Sequence, residues 1–280
     1  MPSETFIFSS NPENGAVNRS EDGSQFSVQF VNPLYLPSNA RNAKIEIIQA
    51  NIWNVSPNIS EALGNNMMTI HDGNGNHTVY LADGLYDIDT VYDALALMFD
   101  NIPDHRPLFP FKDYFLFGGQ DSTNRMYIQF KSSGADGHAE ILWNESTITE
   151  MLGFLPTSPT KPSTDSILNH EHSIFSPHAP KFNAYNSFVI HSDLVSEGIQ
   201  LNNSFDNIIG QIQITTDTGT IETFRAIAPN PFALCNNLIG TQNARYRATF
   251  RLTSETGQPL DTMGEYFDIT LLVSWLEQEN

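Results

Sequence analysis

The sequence predicts an all-β protein, a jelly-roll β-sandwich with short helical insertions at about 87–100 and 147–153. Three observations carry that expectation. Charged residues make up only 16% of the chain while aromatics reach 11%, so the polar fraction is largely Asn, Ser, Thr, Gly and Pro, the residues of turns and uncharged surface. About ten to twelve segments read as strands, most of them alternating apolar and polar with period two. Only two stretches depart from that pattern toward helix, and no internal repeat interrupts the series.

Residues 1–25, rich in Ser, Asn and Glu, read as an N-terminal arm, and 26–280 as a single elaborated domain. Phe26-Ser-Val28-Gln-Phe30 alternates as a strand with one buried face. After Asn32-Pro33 the run Lys44–Trp53 favours strand throughout. Strands at 67–71 and 77–82 flank Asp72-Gly-Asn-Gly-Asn76, a hairpin turn because Gly and Asn accept positive φ. The period then changes: Ile88, Val91, Tyr92, Leu95, Met98 and Phe99 recur at helical spacing behind Asp87 and Asp89, which suit the positive end of a helix dipole.

In residues 102–120, Pro103, Pro107 and Pro110 oppose a regular ladder, yet Phe109, Phe111, Tyr114, Phe115 and Phe117 are too many aromatics to leave in water. Alternation returns at Arg125–Phe130. Thr147-Ile-Thr-Glu150 reads as a capping box before Met151, Leu152 and the stop signal Gly153. The Pro-rich stretch 155–165 is the candidate for any domain boundary. Five further strands are expected at 187–192, 206–215, 220–227, 244–253 and 266–276, the last with Phe267, Ile269, Leu271, Val273 and Trp275 on one face.

Thirteen Lys and Arg stand against 32 Asp and Glu, a formal charge of −19. That field opposes nucleic acid and anionic lipid, since few cations are available to release phosphate counterions, and no direct nucleic-acid binding is expected. The single cysteine, Cys235, forbids an intrachain disulfide, and the start lacks the basic and apolar regions of a signal peptide, so maturation in a reducing compartment is expected. Six Asn-x-Ser/Thr sequons, at Asn18, Asn54, Asn58, Asn76, Asn144 and Asn202, are what so much Asn, Ser and Thr produces by chance.

Chemistry is mostly missing from the motif pattern. Phosphate-loop, nucleophile-elbow, zincin and dinucleotide fingerprints are all lacking, and no catalytic residue, metal or cofactor is expected. His170-Glu-His172, with His178 following, could offer ligands to a metal or be a polar loop. The 72–83 segment mimics a calcium loop but lacks the Gly and the bidentate Glu, which favours a plain hairpin turn. His191-Ser-Asp193 holds triad letters on neighbouring positions that face opposite ways.

Two features concern contact. Tyr246, Ala248, Phe250 and Leu252 are expected to point into the core, leaving Arg245, Arg247 and Arg251 on the other face of their strand. That row is either a solvated face or an intersubunit seam where arginine forks meet a neighbour's carboxylates. The aromatic stretch Phe109, Phe111, Tyr114, Phe115 and Phe117 either packs under its own loop or adds to an interface.

The order of segments resembles the minor capsid (penton) proteins of virophages, Polinton-type elements and related tailless icosahedral DNA viruses. The resemblance rests on Phe26–Leu36, Lys44–Ile59, Gly84-Leu-Tyr-Asp-Ile-Asp89, Ile148-Thr-Glu-Met-Leu-Gly-Phe154 and Phe250–Leu260, and spans 5–276. It implies a non-catalytic virion protein made in the host cytoplasm, a homopentamer at icosahedral vertices ringed by trimers of a double-jelly-roll major capsid protein. A spike or membrane-associated virion protein would be a further partner. Two other readings stand beside it: a compact major capsid protein of two small jelly rolls split near 160, and a carbohydrate-binding jelly-roll module, which surface Trp among Trp53, Trp143 and Trp275 would support.

Overall fold

The computed structural model describes residues 1–102, 107–120, 122–131, 139–162, 173–182, 185–199, 207–227 and 230–278. The chain divides into two compact units, Met1–Ser56 with Tyr185–Asn280, and Pro57–Ala184. The second is therefore inserted in the sequence of the first. The boundary does not fall near 155–165, which lies inside the inserted unit; its described part, 155–162, is loop and turn within that unit and no linker.

The first unit begins with β1 (Ser3–Ser9), β2 (Ala16–Val17), β3 (Gln25–Leu34) and β4 (Ala40–Trp53). The inserted unit holds β5 (Met67–Asp72), β6 (Gly75–Tyr80), α1 (Ile88–Asp100), α2 (Phe111–Tyr114), β7 (Phe115–Gln120), β8 (Arg125–Phe130), β9 (Glu140–Ile141) and β10 (Ser173–Phe175). The first unit resumes with β11 (Ser187–Ser192), β12 (Ile208–Gln213), β13 (Ile221–Arg225), β14 (Ala233–Leu234), β15 (Arg245–Thr253) and β16 (Asp268–Glu277).

In the first unit the strands form two antiparallel sheets, β1-β16-β4-β13 with β14 also on β4, and β12-β11-β15-β3-β2. Set aside the two-residue strands β2 and β14. The remaining eight pair as nested hairpins, first with last (β1 and β16), second with seventh (β3 and β15), third with sixth (β4 and β13) and fourth with fifth (β11 and β12). Two cross-pairs, β16 with β4 and β15 with β11, roll that long hairpin into two sheets. This is a jelly roll, as the sequence predicts.

The expected N-terminal arm is not an arm. Residues 3–9 are the first strand of the roll, in register with 268–274 of β16. Phe8 is buried and Phe6 half-buried, while Ile7 points outward, 75% exposed. Three consecutive apolar residues on an edge strand with one covered face do not look like alternation. The core between the sheets takes Ile45 and Ile47 from β4, Phe26 from β3, Phe188 and Ile190 from β11, and Ile269, Leu271, Val273 and Trp275 from β16. Each such side chain, fully buried, contributes about 1.5–3 kcal/mol. Gly210 on β12 lets Ile47 pack close: a Cβ there would lie 2.7 Å from Ile47 Cδ1, and the end of the Ile47 side chain would have to move aside.

The inserted unit has its own core, with two three-stranded sheets, β6-β5-β9 and β10-β8-β7. The helix expected at 87–100 forms. Asp87 caps it, its carboxylate accepting from Thr90 N–H at 2.8 Å while Thr90 Oγ1 accepts from Asp87 N–H, and Val91, Leu95, Ala96 and Phe99 are buried. The helix expected at 147–153 does not; these residues are turns. Thr147 Oγ1 accepts Met67 N–H at 3.0 Å, and Thr149 Oγ1 donates to the Trp143 and Ser146 carbonyls, so the capping residues are spent on neighbouring segments. Trp143 then stacks on Phe154, ring centroids 4.1 Å apart.

Candidate assembly surface

The three arginines lie on β15, whose inward residues Ala248, Phe250 and Leu252 are buried as expected. On the outward face Arg247, Thr249 and Arg251 stand opposite Gln29, Ser27 and Gln25 of β3. Arg247 donates from Nη2 to Ser27 Oγ at 2.7 Å, and Ser27 and Thr249 hydroxyls meet at 3.1 Å. Asp193 follows β11 and accepts Thr249 N–H at 2.9 Å. Arg251 is half-buried between His191 and Gln25, and with Asp193, Asn207 and Thr249 these residues line a polar depression of about 220 Å³. His191 does not meet Asp193 as a triad would; its Nε2 is 2.8 Å from Thr253 Oγ1.

Tyr246 departs from the expectation. It is 65% exposed instead of facing the core. The register of β3 against β15 jumps between Arg245, opposite Leu34, and Arg247, opposite Gln29. A single residue, Tyr246, thus faces Phe30–Pro33, and the strand humps outward. Pro33, which cannot donate to the ladder, was the signal in the sequence for such a bulge. At its crest Val31 is 98% exposed.

The aromatic stretch belongs elsewhere. Phe111, Tyr114, Phe115 and Phe117 are buried in the core of the inserted unit, which corrects the interface reading for these four; only Phe109 is exposed to any degree, at 45%. The prolines do not prevent order here: 111–114 makes one helical turn and 115–120 is β7, laddered with β8. Clustering explains the burial, since Phe111 lies within 5.2–5.7 Å of Tyr92, Phe99, Phe115 and Phe117, centroid to centroid.

The 72–83 hairpin holds no open cation site at Asp72. That carboxylate is buried and accepts four hydrogen bonds, from Asn74 N–H (2.8 Å), His77 Nε2 (2.8 Å), Leu108 N–H (2.9 Å) and the Tyr114 hydroxyl (3.2 Å). Burial works to raise its pKa, but the donors and the His77 charge outweigh burial and hold it below the ordinary carboxylate value. Tyr114, desolvated and facing the Asp72 charge, is pushed up to about 12. His170 and His172 lie outside the described residues. Among the described residues no group of three or more His, Cys, Asp or Glu is arranged to hold a metal ion. Cys235 is buried, and burial raises its thiol to about 12, so it stays protonated.

No family model matches the chain, and no curated protein does. Solved structures do. The mavirus penton protein aligns over 99% of this chain and 100% of its own, with a TM-score of 0.57 at 12% identity. The chain shares that protein's fold. A chain of the Sputnik virophage, solved by cryo-EM, aligns over 98% of both at 14% identity and a TM-score of 0.43.

Proposed function

We propose that this protein is a non-catalytic structural subunit of an icosahedral virion, forming homopentamers at the fivefold vertices among trimers of a major capsid protein. The observation that carries the reading is the fold shared end to end with the mavirus penton protein, inserted unit included. A structural role also accords with a buried, protonated Cys235 and with an Asp72 carboxylate wholly occupied by internal donors. Synthesis in the host cytoplasm follows from the same reading. A spike or membrane-associated virion protein is a further partner; nucleic acid is not.

Both alternatives lose their footing. A double-jelly-roll major capsid protein needs two rolls, whereas the described residues of the inserted unit form two three-stranded sheets and helices. A carbohydrate module wants exposed Trp, yet Trp143 and Trp275 are buried and Trp53 half-buried. In the proposed pentamer the outward face of β15 is a lateral seam. Arg245 and Arg247 suit it, since the ion pairs of lysine or arginine among the described residues join Lys112 to Asp93 and Lys161 to Glu140 and leave both arginines without a carboxylate. Class averages of the purified protein by electron microscopy test the reading: fivefold rings support it, and threefold particles contradict it.

A further inference from the structure

The bulge between β3 and β15 puts Val31 (98% exposed) and Tyr246 (65%) into solvent at one end of that ladder, and Tyr35, just past β3, is also exposed (44%). None is needed for the core, which Phe26, Phe250 and Leu252 fill from the same two strands. Arg245 and Arg247 flank Tyr246 directly, both exposed. Tyr and Arg are the residues that most often anchor protein contacts, because each presents a large rigid surface together with a directional donor. A bulge that turns Tyr246 away from the core is a feature for aiming a side chain.

We propose that this bulge is the anchor of a self-association contact, and that its occupant is an acidic face of a second copy of this chain. The proposal rests on the pentameric reading above and deepens it by naming the anchoring surface. Charge complementarity selects the occupant. With 32 acidic residues against 13 basic ones, carboxylates outnumber cations on a second copy by more than two to one, while this patch carries two arginines that no ion pair among the described residues engages.

The same charges fix the kind of symmetry. A twofold contact of the patch with itself would set two pairs of arginines against each other, like charges on a surface being desolvated. The patch must meet a different face of its neighbour. Such a head-to-tail contact closes into a ring of more than two copies or runs on as a filament.

Sedimentation velocity of the full chain tests this with four variants: Tyr246→Ser, Val31→Ser, the double Arg245→Glu/Arg247→Glu, and Ile227→Ser as a control. Ile227 is 86% exposed and outside the bulge. Thermal unfolding by circular dichroism confirms that each variant is folded. The expected result is a wild-type ring of more than two copies, and Tyr246→Ser and Val31→Ser proteins whose association weakens on the order of tenfold or more. The arginine double should stay monomeric where the wild type assembles, and Ile227→Ser should match the wild type.

Folded bulge variants that assemble like the wild type would overturn the proposal and leave the vertex reading standing. A wild type that stops at a twofold dimer would overturn the head-to-tail symmetry. A wild type that is monomeric at every concentration but retained on heparin through the two arginines would assign the patch to an anionic partner, again overturning it.

Discussion

Phe8 of the first strand packs on Phe250 of the seventh, ring centroids 4.6 Å apart, so the opening residues of the chain join one sheet of the roll to the other. Phe250 continues the stack to Phe26 at 5.3 Å, and Phe26 meets Phe267 edge-on at 5.3 Å. Replacing Phe8 with Ala should cost about 3–5 kcal/mol of stability in urea unfolding, and Phe8→Leu less than about 1.5 kcal/mol. If residues 3–9 were a detached arm, both variants would unfold like the wild type.

Glu222, buried on β13, accepts Thr215 N–H at 2.7 Å, Thr216 N–H at 3.1 Å and the Thr215 hydroxyl at 3.1 Å. It ties down the connection between β12 and β13, the fifth and sixth strands of the nested series. Glu222→Ala strands two amide donors and should lower stability by about 2–3 kcal/mol, since a buried group left unpaired costs its desolvation. Amide hydrogen exchange at Thr215 and Thr216 should accelerate along with it. Unchanged protection there would show that water replaces the carboxylate.

Asp72 gives the inserted unit a defined acid sensitivity. Its folded pKa lies below the unfolded value of about 3.9, so its stabilisation is fully present above that value and is lost as pH falls through it toward the folded pKa. Asp72→Asn should therefore be less stable than the wild type at pH 7, and the gap should shrink below about pH 4. Calorimetric melts across that range measure it. A gap that stays constant would contradict the assignment.

Gly153 adopts φ +79°, and a Cβ there would lie 2.3 Å from the His178 carbonyl oxygen. His178 N–H in turn donates to the Gly153 carbonyl at 3.1 Å. Gly153→Ala incurs both left-handed strain, about 1–2 kcal/mol, and a clash with backbone that has no rotamer to yield. A loss of about 2 kcal/mol or more is expected in thermal unfolding of the inserted unit. A neutral substitution would mean the 149–154 turn is free to rearrange.

Much of the roll was legible where a strand has one buried face, as on β16, where Ile269, Leu271, Val273 and Trp275 all face the core; Ser187–Ser192 also falls where expected, although all six of its residues are buried. Edge and insertion were harder. Among the described strands β1 pairs only with β16 and offers Phe6, Ile7 and Phe8 in a row, so period-two reading passes over it. The insertion leaves at Ser56-Pro57 and returns by Tyr185 without a linker-like composition, whereas the Pro-rich 155–165 stretch drew attention to the wrong place.

On the assembly surface, the arginine row was readable from spacing, but Tyr246 was not. Alternation counts residues along one strand and cannot register that four on β3 oppose one on β15. The aromatic run 109–117 misled for a related reason. Local sequence shows that such rings must be covered without showing by what, and α1 and the flanking strands cover them.

The central claim, a self-assembling vertex subunit, is tested most directly by the native mass of the purified protein from light scattering behind a sizing column, at low and moderate salt. The account predicts a species near five times 31.3 kDa. A particle of three times that mass, or a monomer at every concentration, would contradict it.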